Sequence, residues 1–152
     1  MNKNWTWPTQ DLEGLVSGLE LLDPTLSQEQ RDSWWQTFLP GFSRGDAVRH
    51  SLFALAETFL VKIALKAEVH YSRQQGGSFF LVSEPWVPVL RFDAISPPPP
   101  NILDGMVWKR GVHDSPGWCA IFPESMEWTF VEEHDGPFFL RSCMDPPLGD
   151  SP

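Results

Sequence analysis

The most concentrated chemistry in the chain is a run of four consecutive polar residues between two apolar stretches: Glu132, Glu133, His134 and Asp135. His134 and Asp135 could form a general base with its orienting carboxylate, and either preceding glutamate could then serve as the acid. The stretch also has the composition of a hairpin turn, because Asp-Gly favours a tight reversal and Pro137 cannot donate to a central ladder. The flanking residues favour the turn, beside which all four side chains remain candidate contacts of a binding surface.

A second His-Asp pair, His113 and Asp114, occurs in the sequence GVHDSPGW. The Ser-Pro-Gly that follows it predicts another turn. If both turns lay on one side of a sheet, the two pairs could converge into the site of a small metal-dependent or His/Asp hydrolase. The alternative catalytic set is therefore His113, Asp114, His134 and Asp135, and its assembly depends on a strand order that the sequence leaves open.

Other signatures of catalysis or metal binding are absent from the sequence. There is no G-x-S-x-G elbow, no phosphate-binding P-loop and no G-x-G-x-x-G motif. Cys119 and Cys143 lack the paired close spacing of structural zinc ligands. Cys119 is expected to be a small buried residue on a strand. We therefore predict no metal and no cofactor. The absence of these motifs favours a non-enzymatic protein but leaves an enzyme as an open alternative.

The chain contains eight tryptophans, more than 152 residues can bury completely. Buried rings fill a core, whereas exposed rings mark interfaces or sugar platforms. Trp86 stands close to two prolines and is expected to be exposed, and Trp108 is a second candidate contact. A small-molecule or sugar-binding module that uses exposed tryptophans is therefore a third hypothesis.

Three helices are predicted in the first half of the chain. Leucines and a valine at helical spacing predict the first over 9–24, ended by Pro24. The second follows directly, with Ser27 and Gln30 as a capping box and Pro40–Gly41 as its stop. The third covers 45–71, although its second half alternates like a strand and that alternative stays open.

The second half of the chain is predicted to be β-rich. Aromatic and β-branched runs predict strands over 78–83, 87–92, 105–112, 117–122, 127–133 and 137–142. Pro85 and Pro88 place the 87–92 strand at an edge. Alternation puts Glu132 on the same face as Trp128 and Phe130.

These elements predict a single α+β domain, with N-terminal helices packed on a small antiparallel sheet from the C-terminal half. The domain is expected to span 9–143, with an N-terminal arm over 1–8 and a flexible tail over 144–152.

The net charge of −9, from 20 acidic and 11 basic residues, restricts the partners. It repels phosphate backbones, which argues against nucleic acid, and it favours encounter with a basic protein surface. The N-terminus has no apolar signal-peptide core, and no apolar run is long enough to span a membrane. A cytoplasmic protein with a protein partner and no membrane association is expected.

The C-terminal run AIFPESMEWTFVEEHDGPFFLRS resembles the end of small uncharacterised bacterial proteins. In those, a strand reading W-T-F/Y is followed by a histidine, an acidic turn and G-P-F/Y-F. The resemblance implies a bacterial α+β domain and assigns no catalytic residue. In size and acidity the chain is similar to immunity proteins of toxin–immunity pairs. The leading hypothesis is therefore a non-enzymatic acidic binding module, immunity- or antitoxin-like, that contacts its partner through Trp86, Trp108, Glu132, Glu133, His134 and Asp135.

Overall fold

The structure is a computed structural model that describes residues 7, 9–41, 48, 51–52, 76–96, 98, 116–133 and 136–141. It is an α+β fold in which an N-terminal helix packs on an antiparallel sheet. The elements are a short 3-10 helix (Thr9–Asp11), β1 (Ser17–Leu21), α1 (Pro24–Phe38), β2 (Gly77–Ser83), β3 (Leu90–Ala94), β4 (Trp118–Pro123), β5 (Trp128–Glu133) and β6 (Gly136–Arg141). The predicted fold class is confirmed.

Helix α1 begins with a residue that the sequence analysis assigned to the end of another helix. Pro24 occupies the first turn, where its missing N–H costs nothing, and the Asp23 side chain accepts a 2.8 Å hydrogen bond from the Leu26 amide. The predicted capping box at Ser27 is therefore wrong. Ser27 lies inside the helix, where its hydroxyl donates to the Leu22 carbonyl and accepts from the Val89 amide at 2.9 Å.

The predicted helix over 9–24 is wrong. The segment instead forms the 3-10 helix, a turn and β1. Gly18 has φ +65°, a conformation that glycine adopts without the strain other residues incur. Antiparallel pairing with β3 then outweighs the helical spacing of the leucines, because it satisfies the backbone of β1 along the sheet.

The sheet has the strand order β1-β3-β2-β4-β5-β6, and every neighbouring pair is antiparallel. Strand β3 therefore lies inside the sheet, and its predicted edge position is wrong. Pro85 and Pro88 fall in the connection between β2 and β3, where no ladder donor is needed. Among the described strands the edges are β1 and β6.

Each face of the sheet carries its own hydrophobic core. One core contains Trp34 and Phe38 of α1 together with the side chains on one face of the central strands, such as Val82 and Phe122. The other face is covered by Trp7 and Leu12 from the N-terminal segment. The alternation of β2 thus serves two cores, which explains why Phe79 to Ser83 are buried without interruption.

The remaining predictions agree with the structure where it describes them. The strands over 78–83, 117–122, 127–133 and 137–142 are confirmed within a residue or two. Trp7, from the predicted arm, packs on the body and donates its indole N–H to the Pro88 carbonyl at 2.7 Å. Val48, Ser51 and Leu52 are helical, as predicted for the start of the third helix. The rest of 45–71, the strand at 105–112 and the tail over 144–152 lie outside the described residues.

Candidate functional site

Strand β5 presents its two glutamates to opposite faces of the sheet. Trp128 and Phe130 belong to the core under the N-terminal segment, whereas Val131 belongs to the core under α1. By alternation along β5, Glu132 lies on the same face as Trp128 and Phe130, which confirms the prediction that these three residues share a face. The more buried of the two glutamates is nevertheless Glu133, which is only 3% exposed, whereas Glu132 is half-buried.

The residues beside these glutamates lie outside the described part of the chain. Strands β5 and β6 pair from Trp128↔Arg141 to Glu133↔Gly136, so the predicted hairpin is confirmed on both sides of the turn. The described residues include none of four predicted site residues, His113, Asp114, His134 and Asp135, nor Trp108. Their roles stay predictions.

A metal site does not form among the residues that the structure describes, since no group of three or more His, Cys, Asp or Glu side chains is suitably placed. Cys119 is fully buried in β4, as the sequence predicted for a small buried strand residue.

Several tryptophans connect parts of the fold through both their rings and their indole N–H groups. The Trp34 ring stacks on Trp118 at a centroid distance of 5.1 Å. Trp34 donates its N–H to the Thr129 hydroxyl at 3.0 Å, and Trp118 donates to the Glu84 carboxylate at 3.0 Å. These rings therefore hold α1 against β4 and β5, a structural role that needs no ligand.

Trp86 is half-buried rather than exposed, which corrects the expectation for this ring. It packs against the core that contains Trp7 and lines a cleft of about 140 Å³ between the start of α1 and the β2–β3 connection. Pro85 and Pro88 of this connection line one side of the cleft, and Pro24, Ser27 and Arg31 of α1 line the other. Trp86 therefore remains a candidate contact, but of a cleft rather than of a flat surface.

Arg31 lines the same cleft and was missed by the sequence analysis. Its Nη1 donates to the Val87 carbonyl at 2.9 Å, and its Nη2 makes a longer 3.4 Å contact with Gln28. Burial lowers the pKa of Arg31 below its usual value, against a smaller raising effect of Asp32. A sequence signal existed, since Arg31 is the single Lys or Arg between Lys3 and Arg44.

A second feature that the sequence analysis missed is an acidic, leucine-bearing segment at the β1 edge. We call residues 13–29 the acidic edge. It runs from the turn before β1, along β1, to the first turns of α1. Three of its leucines are about half exposed: Leu15 (51%), Leu21 (52%) and Leu26 (45%). Four of its carboxylates are exposed, those of Glu13, Glu20, Asp23 and Glu29.

The acidic edge contains no basic residue, and none occurs from Thr9 to Gln30. The wrong helix prediction concealed part of it, because helical spacing had placed Leu15 on an apolar helix face. Exposed apolar side chains in a segment with charges of one sign are compatible with a surface that another molecule covers.

Comparison of the chain with protein-family models, curated proteins and solved structures finds no match in any of the three. Within the described residues, none of the helices has the length and apolar character needed to cross a membrane.

Proposed function

We propose that this protein is a non-enzymatic, acidic binding module of the cytoplasm whose partner is a protein with a basic surface. An immunity- or antitoxin-like role, in which binding neutralises the partner, is the form of this proposal that the sequence resemblance implies. The observation that supports it is the acidic edge, a segment with exposed leucines and carboxylates and no basic residue of its own, although Arg91 of β3 lies opposite Glu20.

The charge of the acidic edge determines the chemistry of the partner. Exposed carboxylates attract a basic surface during diffusion and repel acidic ones. The exposed leucines would supply the apolar contact, while the carboxylates of the same segment would set orientation and association rate. A partner with lysines or arginines around an apolar pocket fits both requirements.

The backbone of β1 argues for contact through side chains rather than through strand addition. The register of β1 against β3 shifts between Ser17 and Glu20, and Gly18 has a positive φ. A bulge and a charged residue on an edge strand are features that discourage pairing with another strand. We therefore expect Leu15, Leu21 and Leu26 to insert into the partner.

The size of the leucine contribution follows from their exposure. Full burial of a leucine is worth roughly 1.5–3 kcal/mol, and about half of each side chain is already buried. Covering the rest gives about 1 kcal/mol for each leucine, or about 3 kcal/mol together. This corresponds to a change of roughly 100-fold in the dissociation constant.

The test is a side-by-side affinity capture with the wild-type protein and the triple variant Leu15→Ser, Leu21→Ser, Leu26→Ser. We expect a basic protein that the wild type retains, that elutes as salt is raised and that the folded triple variant loses. Titration of the purified partner should then show the roughly 100-fold weaker binding. Circular dichroism confirms that the variant is folded. Retention of the same proteins by both forms would refute the proposal.

A further inference from the structure

The cleft beside Trp86 has the size and walls of a site for a small organic molecule. One apolar wall consists of Leu22, which precedes α1, and Pro24, the first residue of α1. The other consists of Pro85, Trp86 and Pro88 in the β2–β3 connection. Its volume is about 140 Å³. An engineered apolar cavity of about 150 Å³ holds a benzene molecule, so one ring or a short aliphatic chain fits.

Arg31 places a positive charge in these otherwise apolar surroundings. A guanidinium has five N–H donors, of which the hydrogen bonds to Val87 and Gln28 use two. One N–H on each Nη atom remains, which is the number that a bidentate carboxylate requires. The Nε atom is buried and has no hydrogen-bond partner.

The charge of Arg31 is also poorly balanced by its neighbours. Within the described part of the chain no carboxylate forms an ion pair with it, although the protein carries 20 acidic residues. Asp32 raises the pKa of Arg31 by less than burial lowers it, and the Asp32 carboxylate accepts a 2.7 Å hydrogen bond from Gln28. A half-buried cation of this kind is stabilised when an anion enters its surroundings.

We propose that the cleft binds a small monocarboxylate with an aromatic or aliphatic body, paired through its carboxylate with Arg31 and packed through its body against Trp86 and the prolines. A single arginine balances one negative charge, so a phosphate dianion fits less well. The apolar walls favour a ligand whose other end is uncharged. The cleft shares Leu22, Pro24 and Ser27 with the acidic edge, whereas Arg31 and Trp86 lie outside that segment. Its test needs no protein partner, so it can fail or succeed independently of the protein-binding proposal.

The experiment uses benzoate as the probe and benzyl alcohol as its uncharged counterpart of similar size. Binding of each is measured by ligand-observed NMR and by titration up to about 10 mM, a range that captures the weak affinity of so small a ligand. We expect benzoate to bind the wild type and benzyl alcohol to bind at least tenfold more weakly.

Variants of two arginines locate the site. Arg31→Met keeps an unbranched side chain of similar length and removes the charge, and we expect at least a tenfold loss of benzoate affinity. Arg91→Met is the matched control, because Arg91 is also partly exposed but pairs with Asp93 in the sheet, and it should leave benzoate binding unchanged. Arg31→Lys keeps the charge without the planar fork and should give intermediate affinity, so it serves if Arg31→Met does not fold.

Three results would overturn the proposal. The first is that benzoate does not bind the wild type. The second is that benzoate and benzyl alcohol bind equally well. The third is that benzoate affinity is unchanged in the Arg31 variants, or is reduced as much by Arg91→Met as by Arg31→Met.

Discussion

The contact between α1 and the sheet depends on a buried hydrogen bond, and replacing Thr129 with valine removes it while keeping the shape of the side chain. Thr129 is fully buried; its hydroxyl accepts the indole N–H of Trp34 at 3.0 Å and donates to the Ile121 carbonyl at 3.0 Å. Because Trp34 is only 1% exposed, no solvent can replace the lost acceptor.

The cost of Thr129→Val follows from the groups left without a partner. A buried donor without an acceptor costs roughly 1–3 kcal/mol, so we expect a loss of about 2 kcal/mol in the free energy of unfolding. With a urea m-value of about 2 kcal/mol/M, the unfolding midpoint should fall by about 1 M with an unchanged slope.

A double-mutant cycle with Trp34→Phe assigns this loss to the Trp34–Thr129 pair. Phenylalanine lacks the indole N–H, so Thr129→Val should cost about 1 kcal/mol less in that background. The matched control is Thr25→Val on the exposed first turn of α1, where we expect a change within about 0.5 kcal/mol. An equal cost at Thr129 and Thr25, or an equal cost of Thr129→Val in both backgrounds, would show that the hydrogen bond does not hold α1 on the sheet.

Four further substitutions, at Asp23, Gly18 and Gly14, test the local structure around the acidic edge by urea unfolding. Asp23→Ala removes the acceptor of the Leu26 amide and should lower the free energy of unfolding by about 1 kcal/mol. Asp23→Asn keeps an acceptor and should recover most of this loss. Equal stability of the two variants would argue against Asp23 as the helix cap. Gly18→Ala should cost 1 kcal/mol or more, since φ is +65° and the new Cβ would lie 3.1 Å from the Asp93 carboxylate. Gly14→Ala, with nothing within 4 Å of its Cβ, should be neutral or slightly stabilising, and a loss there as large as at Gly18 would contradict the assigned backbone.

The strands that the sequence predicted correctly are those whose signals are local. The runs over 78–83, 117–122 and 127–133 combine aromatic and β-branched residues with turn residues at both ends. β2 and β4 are buried on both faces along most of their length, as their continuous apolar runs predict.

The segment over 9–24 was predicted wrongly because its outcome depends on a distant strand. Its leucines have helical spacing, but β1 is fixed by pairing with β3, about 70 residues later in the chain. The edge position assigned to the 87–92 strand failed for the same reason, since β1 occupies that edge. Neither partner could be recognised from the spacing of residues within one segment.

The candidate sites show the same division between local and distant signals. The face of Glu132 was predictable, because alternation along one strand determines it. The cleft at Arg31 was not, because it joins α1 to a carbonyl 56 residues away. The exposure of Leu15 and Leu21 in the acidic edge was not predictable, because 9–24 was expected to be a helix and instead contains a turn and the edge strand β1.

The most direct test of the acidic edge as a binding surface compares two charge-matched variants against the captured partner. Glu13→Gln with Glu20→Gln alters the edge, and Glu124→Gln with Glu127→Gln alters the exposed β4–β5 turn, three strands away from β1. Each pair changes the net charge from −9 to −7, so any difference between them reports position rather than total charge.

Association rates and dissociation constants are measured for both pairs from low to high salt. We predict that the edge pair associates several-fold more slowly at low salt, that the difference shrinks as salt screens the charges, and that the turn pair matches the wild type. Equal effects of the two pairs, or binding that is insensitive to salt, would contradict recognition of a basic partner by the acidic edge.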